Sequence, residues 1–404
     1  GKISLISAIL NNISDKYLHM KEYDKAIKYA KKAVKYNYES TLIYALGTLI
    51  EIYISKGDIQ EAKISLDLLR EHAKKLDTKR HKTLYYGAKA AILKTSLRAR
   101  DRIKAEDLFK KLALDNTLLS EPRIEAILSL CELYLTELRI TNDPEILDEL
   151  QFFIQTLLNI AEEQHLYLYL AETFRLQAKL SLLSFNIKKA KKFLNKAQEI
   201  AESYGLKRLA MKISFEHDEL LRQINLWENF EESDVSLSER LELAGLNEQV
   251  EYMTRKRMIE VPELSDEEPV LLLITSEGGI PIFTQSFVYD KDFKDHLLGG
   301  FFTAINSFIN EMFSEGLDRA SFGKHTLLMN SIPPFLMCYV YKGQSYSAQK
   351  RIKSFINEIK SNTRLWDTFE RFYQLNRKLQ MTDIPSLQPL IKKIFIDKSE
   401  SINV

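Results

Sequence analysis

Proline is distributed so unevenly along this chain of 404 residues that it settles most of the fold class. Residues 1–261 hold only Pro122 and Pro144, whereas residues 262–404 hold seven prolines, beginning at Pro262. Proline has no backbone N–H and its ring clashes with the preceding turn, so helix interiors exclude it. The first part is free to be one long series of helices, and the second is not. A change of pattern falls near the same point. Val270–Thr275 is a continuous apolar run, as a strand buried on both faces would be. Gly278-Gly279 then supplies a turn and Ile280–Val288 reads as a returning strand.

The helical part repeats itself. Tyr17, Tyr23, Ala26, Ala30 and Ala33 are echoed by Tyr53, Ile59, Ala62, Leu66 and Leu69, each 36 residues later. A turn falls at the same place in each copy, at His19–Glu22 and at Lys56-Gly57-Asp58. The pattern returns at Ala105, Phe109 and Leu112, and again at Ala190, Leu194 and Ala197. It blurs between 121 and 165, where two helices are expected on either side of Thr141–Pro144. Small residues at 26 and 62 allow the second helix of each pair to lie close against the first. A single pair cannot bury its own apolar face, so such units stack.

Over residues 3–225 these positions resemble the tetratricopeptide repeat (TPR). The signature tryptophan, the Leu-Gly pair and the closing proline of that repeat are mostly absent. The resemblance implies a groove lined by the first helix of each pair, taking a peptide or a partner helix. It places Asn11, Asp15, His19 and Glu51 on that face. The carboxylate clamp of chaperone-binding relatives is not visible. Because the helical pattern starts at once, a polar capping unit is expected upstream of Gly1, and Gly1 itself reads as a cloning remnant.

Residues 228–268 carry 13 acidic and 4 basic residues. This stretch is expected to be an acidic linker with one helix from Ser236 to Met258, whose Leu241, Leu246, Val250 and Met253 recur at helical spacing. The domain boundaries that follow are 1–227, 228–268 and 269–404.

Beyond Pro269 the order is strand, strand, helix, two or three strands, helix. Asp295 is placed to cap a helix whose apolar face runs from Leu298 to Met312. Gly323 separates two strands, Phe335–Lys342 is another, and Ser345 or Ser347 is placed to cap a helix with Ile352, Phe355, Ile356 and Ile359 inward. The fold class is therefore an all-α helix-pair solenoid followed by a small α+β domain, an antiparallel sheet packed with helices. Ser276–Phe283 after the first strand, Gly299–Ile305 opening the first helix, and Gly343–Ser347 entering the last resemble the longin and roadblock group of profilin-like folds. The stretch Gly343–Ser347 leading into a helix also resembles archaeal longin-like proteins that carry helical repeats. The resemblance implies binding to a Ras-like small GTPase or to another domain of its own kind, and it makes Phe301 and Phe302 candidate contacts.

Catalytic signatures fail on spacing. Six residues lie between Gly316 and Gly323, where a phosphate loop needs four, and Lys324 is followed by His325, so a phosphate loop is not formed. Ser345 has no later histidine and no second glycine, so it is not a nucleophile elbow. The seven histidines are scattered away from metal-binding spacings. A net charge of +1 removes the simplest case for nucleic acid. No apolar run is long enough to span a membrane. Cys131 and Cys338 sit in apolar runs and read as buried thiols.

The functional expectation is a non-enzymatic interaction scaffold without cofactor or metal, in the cytoplasm and at membranes only through its partners. Those partners are proteins: a peptide or helix in the TPR groove, a small GTPase, a longin or roadblock domain, or a second copy of the chain in a homodimer. The alternative is a small-ligand sensor domain on a TPR scaffold.

Overall fold

The structure is a computed structural model and describes residues 2–36, 39–233, 235–254, 267–276, 280–288 and 317–397. The chain packs as two compact units. One comprises Gly1–Phe193 with Phe230–Met258, the other Leu194–Asn229 with Ile259–Val404.

In chain order the helices are α1 (Lys2–His19), α2 (Tyr23–Lys35), α3 (Glu39–Lys56), α4 (Ile59–Leu76), α5 (Lys79–Lys94), α6 (Ala99–Leu114) and α7 (Ser120–Thr141). They continue with α8 (Glu145–Glu163), α9 (Tyr167–Leu183), α10 (Ile187–Ser203), α11 (Lys207–Arg222), α12 (Ile224–Glu232), α13 (Leu237–Ala244) and α14 (Leu246–Thr254).

The first unit is an array of helix pairs. Five of the turns between consecutive described helices share one geometry, each with a single left-handed residue: Lys21, Gly57, His165 and Phe185 in this unit and Gly205 in the other. In each, the next residue's N–H reaches back to a carbonyl five residues earlier, as in Glu22 to Tyr17, Asp58 to Tyr53 and Asn186 to Ser181. This bond satisfies a carbonyl that the helix end would otherwise leave unpaired. Only two of the five are glycine, which is why a glycine search underestimates the repeat.

The small residues of the repeat are where the paired helices meet. Ala26, Ala62, Ala105 and Ala190 are all fully buried. On the facing side of α1, Ser7 and Ser14 are buried too, and their hydroxyls donate to the carbonyls of Ala33 (3.2 Å) and Ala26 (2.7 Å) on α2. The break between α7 and α8 falls at left-handed Asn142, inside the expected Thr141–Pro144 stretch.

First helices also pack on first helices: α1 on α3, α3 on α5, and α5 on α7. The acidic segment adds to this layer. Its expected single helix is two, α13 and α14, broken at Gly245 with φ of 60°. A capping box between Ser236 and Glu239 starts α13. Leu237, Leu241, Leu246, Val250 and Met253 are buried, and the two helices lie across α7 and α9.

The second unit holds a five-stranded sheet of β1 (Glu268–Ser276), β2 (Pro281–Ser286), β3 (Leu317–Phe322), β4 (His325–Ile332) and β5 (Phe335–Lys342), in the order β2-β1-β5-β4-β3. Every pairing is antiparallel. The chain continues with α15 (Ser345–Ser361), α16 (Thr363–Gln374) and α17 (Leu387–Ile391). The central strands β1 and β5 are buried on both faces, as their unbroken apolar runs require. Along β5 the side chains alternate strictly. Phe335, Met337, Tyr339 and Tyr341 join a core with Ile352, Phe355, Phe369 and Phe395 from the C-terminal segments. Leu336, Cys338 and Val340 join Leu271, Leu273 and Leu327 on the other face.

Gly323-Lys324 forms the tip of the β3–β4 hairpin, with Phe322 paired to His325. The turn expected at Gly278-Gly279 and the helix expected from Asp295 to Met312 lie outside the described residues. The expected cap of α15 is corrected. Ser345 is its first residue, Gln344 holds the cap position without a side-chain bond, and the capping oxygens come from a distant helix.

The alanine contacts give a direct test. Ala62→Leu should cost about 1–3 kcal/mol by overpacking the α3–α4 contact. The adjacent exposed change Lys63→Leu should stay within about 0.5 kcal/mol. Chemical denaturation of the two variants beside the parent chain checks both.

Candidate functional site

Among the buried charges of the described residues, one cluster in each unit ties several elements together. In the helix array it is the face of α7 and α9 that α13 and α14 cover. The sequence builds this face by making both helices apolar nearly all round. Ile124, Ile127, Leu128, Leu130, Cys131 and Leu135 of α7 are buried, as are Ala171, Phe174, Leu176, Ala178 and Leu183 of α9. Into this apolar surface α9 places Glu172 and Arg175, one helical turn apart and 2% and 1% exposed. Arg175 Nη1 donates to Glu172 Oε2 at 2.5 Å. Gln249 of α14, also buried, donates through Nε2 to the Glu172 backbone carbonyl (2.9 Å) and to Oε2 (3.0 Å).

Polar contacts frame the rest of this face. Arg240 of α13 donates to the carbonyl of Leu183 at the end of α9 (2.6 Å) and stacks over the Phe185 ring. Lys179 of α9 donates to the carbonyl of Gly245 at the α13–α14 break (2.8 Å). The Ser238 N–H donates to Asn142 at the end of α7 (2.9 Å). Tyr252 of α14 feels the same cluster: burial, reinforced by the Glu172 carboxylate, pushes its phenol up to about 12.

In the sheet unit, Asp218 of α11 joins β3 and α15. Its Oδ1 accepts from Arg319 Nη1 (2.9 Å) and from the Ser345 hydroxyl, and its Oδ2 accepts from the Ser345 N–H (2.9 Å). The Tyr341 hydroxyl meets Ser345 Oγ, and Arg319 also donates to the Ser214 carbonyl (3.2 Å). A carboxylate at a helix N-terminus satisfies free N–H groups and the positive end of the helix dipole together. Burial, with Asp218 nearby, raises the Tyr341 phenol well above its usual range. Ser345 is thus committed to a buried structural bond.

The residues expected to line the groove fall differently. Asn11 shares the α2-facing side of α1 with Ser7 and Ser14, and its Oδ1 is buried without a hydrogen-bond partner among the described residues. Asp15 and His19 sit together further along α1, with His19 Nδ1 2.6 Å from the Asp15 carbonyl and 3.6 Å from its carboxylate. Glu51 is exposed on α3. Phe301 and Phe302 lie outside the described residues. Glu172, Arg175, Gln249, Asp218 and Arg319 were not singled out from sequence. A charged pair on a helix flanked by the apolar residues Ala171, Phe174 and Leu176 was the available signal for the first two.

Both cysteines are buried free thiols, each pushed up to about 12 by burial. Among the described residues no group of three or more His, Cys, Asp or Glu could hold a metal ion. None of the described helices is long and apolar enough to cross a membrane. One sheet edge is partly covered, since the Leu379 N–H donates to the Ile282 carbonyl of β2 at 2.7 Å. No protein-family model matches the chain, and no curated protein matches it.

Removing one partner of a buried pair leaves the other charge uncompensated. Asp218→Ala should therefore lower the stability of the sheet unit by about 3–5 kcal/mol. Asp218→Asn, which keeps shape and some hydrogen bonding, should cost less. Urea unfolding followed by hydrogen exchange in β4, β5 and α15 distinguishes the two.

Proposed function

We propose that this protein is a non-enzymatic scaffold whose first-helix layer binds helical or extended segments of other proteins. The observation that carries the reading is that this layer already holds a helical segment. Across α7 and α9 it takes α13 and α14 through buried Leu241, Leu246, Val250 and Met253 and through bonds from Gln249 and Arg240. An amphipathic helix laid into an apolar face, with a few polar contacts fixing its register, is a recurring mode of peptide recognition. The helix-pair repeat and its shared turns support the TPR-like reading. Asp15, His19 and Glu51 remain the groove residues proposed for the α1–α3 end of the layer, and Asn11 is proposed as their support from the α1–α2 contact.

The α+β domain is proposed as a second binding surface of the longin and roadblock type. Its hairpin-built, all-antiparallel sheet with C-terminal helices on one face supports that reading. A small GTPase, or a domain of the same kind, is the proposed partner there, in a cytoplasmic assembly of membrane-traffic type and archaeal affinity.

The test is binding of the full chain to small GTPases from the source organism, each loaded with GDP or a non-hydrolysable GTP analogue. The expected result is saturable binding at least ~tenfold stronger in one nucleotide state, about 1.4 kcal/mol. Equal or absent binding in both states by folded chain overturns the GTPase assignment.

A further inference from the structure

The contact between α14 and α9 is incomplete in a way that identifies what would complete it. Glu172 and Gln249 are almost fully buried, at 2% and 3% exposed. Yet Glu172 Oε1 and Gln249 Oε1 have no hydrogen-bond partner among the described residues. Both are acceptors, facing a contact in which Gln249 supplies one amide nitrogen to two acceptors of Glu172. Each buried acceptor left unpaired costs roughly 1–3 kcal/mol. A buried ion pair such as Glu172–Arg175 is itself weak support for stability, since an apolar pair of the same size often serves as well. A surface shaped only for permanent burial has no use for these groups. A surface that exchanges one helix for another does, because the charges are solvated while the face is open and select among ligands when it closes.

The resident segment suits such exchange. It begins with its own capping box at Ser236 and Glu239, so α13 has a local start signal. It is also acidic, with Glu239, Glu242, Glu248 and Glu251 against a single Arg240 over residues 237–254.

We infer that the face of α7 and α9 is an exchangeable helix-binding site, with α13–α14 as its resident ligand. Its incoming partner is an amphipathic helix that carries Arg or Lys where α14 carries Gln249. A cationic donor at that position removes the unpaired Gln249 acceptor and supplies N–H groups to both Glu172 oxygens, and charge-assisted bonds of this kind are the stronger class. This inference rests on the scaffold reading above and adds to it the location of the site and the chemistry of the partner.

Two measurements on the full chain test it. The first is hydrogen exchange of the parent protein. Amides of α13 and α14 should exchange at least ~tenfold faster than those of α7 and α9, because the segment opens without the array unfolding. Equal protection overturns the inference, since the segment is then a fixed part of the array. The second uses fluorescent peptides spanning residues 236–254, one with the parent sequence and one with Gln249→Arg, and a chain opened by Leu241→Asp with Val250→Asp. The Gln249→Arg peptide should bind the opened chain at least ~tenfold more tightly than the parent peptide, and Glu172→Gln in that chain should abolish the difference. Equal affinity of the two peptides, or no binding of either, overturns it. If the opened variant does not fold, the exchange comparison alone decides. Failure here leaves the groove proposed at the α1–α3 end and the GTPase assay standing, so it is distinguishable from failure of the scaffold reading.

Discussion

A helix that is apolar on two opposite sides has to be covered twice, and this constraint organises the helix array. α7 and α9 are buried nearly all round. Neighbouring helices such as α6 and α8 cover one side, and something else must cover the other. The chain meets the requirement with α13 and α14, brought back from the acidic stretch as a third layer. The break at Gly245, left-handed and tied by Lys179, gives two short helices where the sequence pattern suggested one. The layer is held mainly by apolar burial, and its few polar contacts set its position. Those contacts are also where it is least complete, at Glu172 and Gln249.

The sheet unit solves a different problem with similar chemistry. Its strands β1 and β5 bury both faces, so the positions available for charge are few. One is Arg319 on the edge strand β3, and its charge is balanced by Asp218 on α11. The same carboxylate caps α15, so one side chain fixes the relation of a helix, a strand and a second helix. Every oxygen of Asp218 is used, in contrast to Glu172, one of whose oxygens lacks a hydrogen-bond partner among the described residues. Within this protein, the Asp218 cluster is built as a joint, and the Glu172 cluster is the one proposed as a contact surface.

Much of this architecture was legible in the sequence. The 36-residue echo from Tyr17 and Ala26 to Tyr53 and Ala62 marks real helix pairs, because a buried alanine is what close helix approach requires. The apolar runs at Val270 and Phe335 are strands buried on both faces, because a half-exposed strand would alternate. The partner of a buried charge was not legible. Asp218 stands in the polar run Glu216–Glu219, and nothing local shows that it meets an arginine 101 residues later. The cap of α15 was misassigned for the same reason: serines near a helix start are the usual caps, and here Asp218 arrives from α11. The acidic stretch read as a linker because charge usually means solvent, yet its apolar residues at helical spacing were the ones that packed.

The account turns on where a helical ligand sits on the array, and methyl NMR of the full chain, labelled at isoleucine, leucine and valine, reports this most directly. On titration with the Gln249→Arg peptide, the account predicts shifts among the methyl groups of α7 and α9, the two helices on which the segment packs. It also predicts loss of the packed environment of Leu241 and Val250 in the segment that leaves. Shifts confined to the second helices α2, α4 and α6, or an unchanged spectrum at saturating peptide, would contradict it.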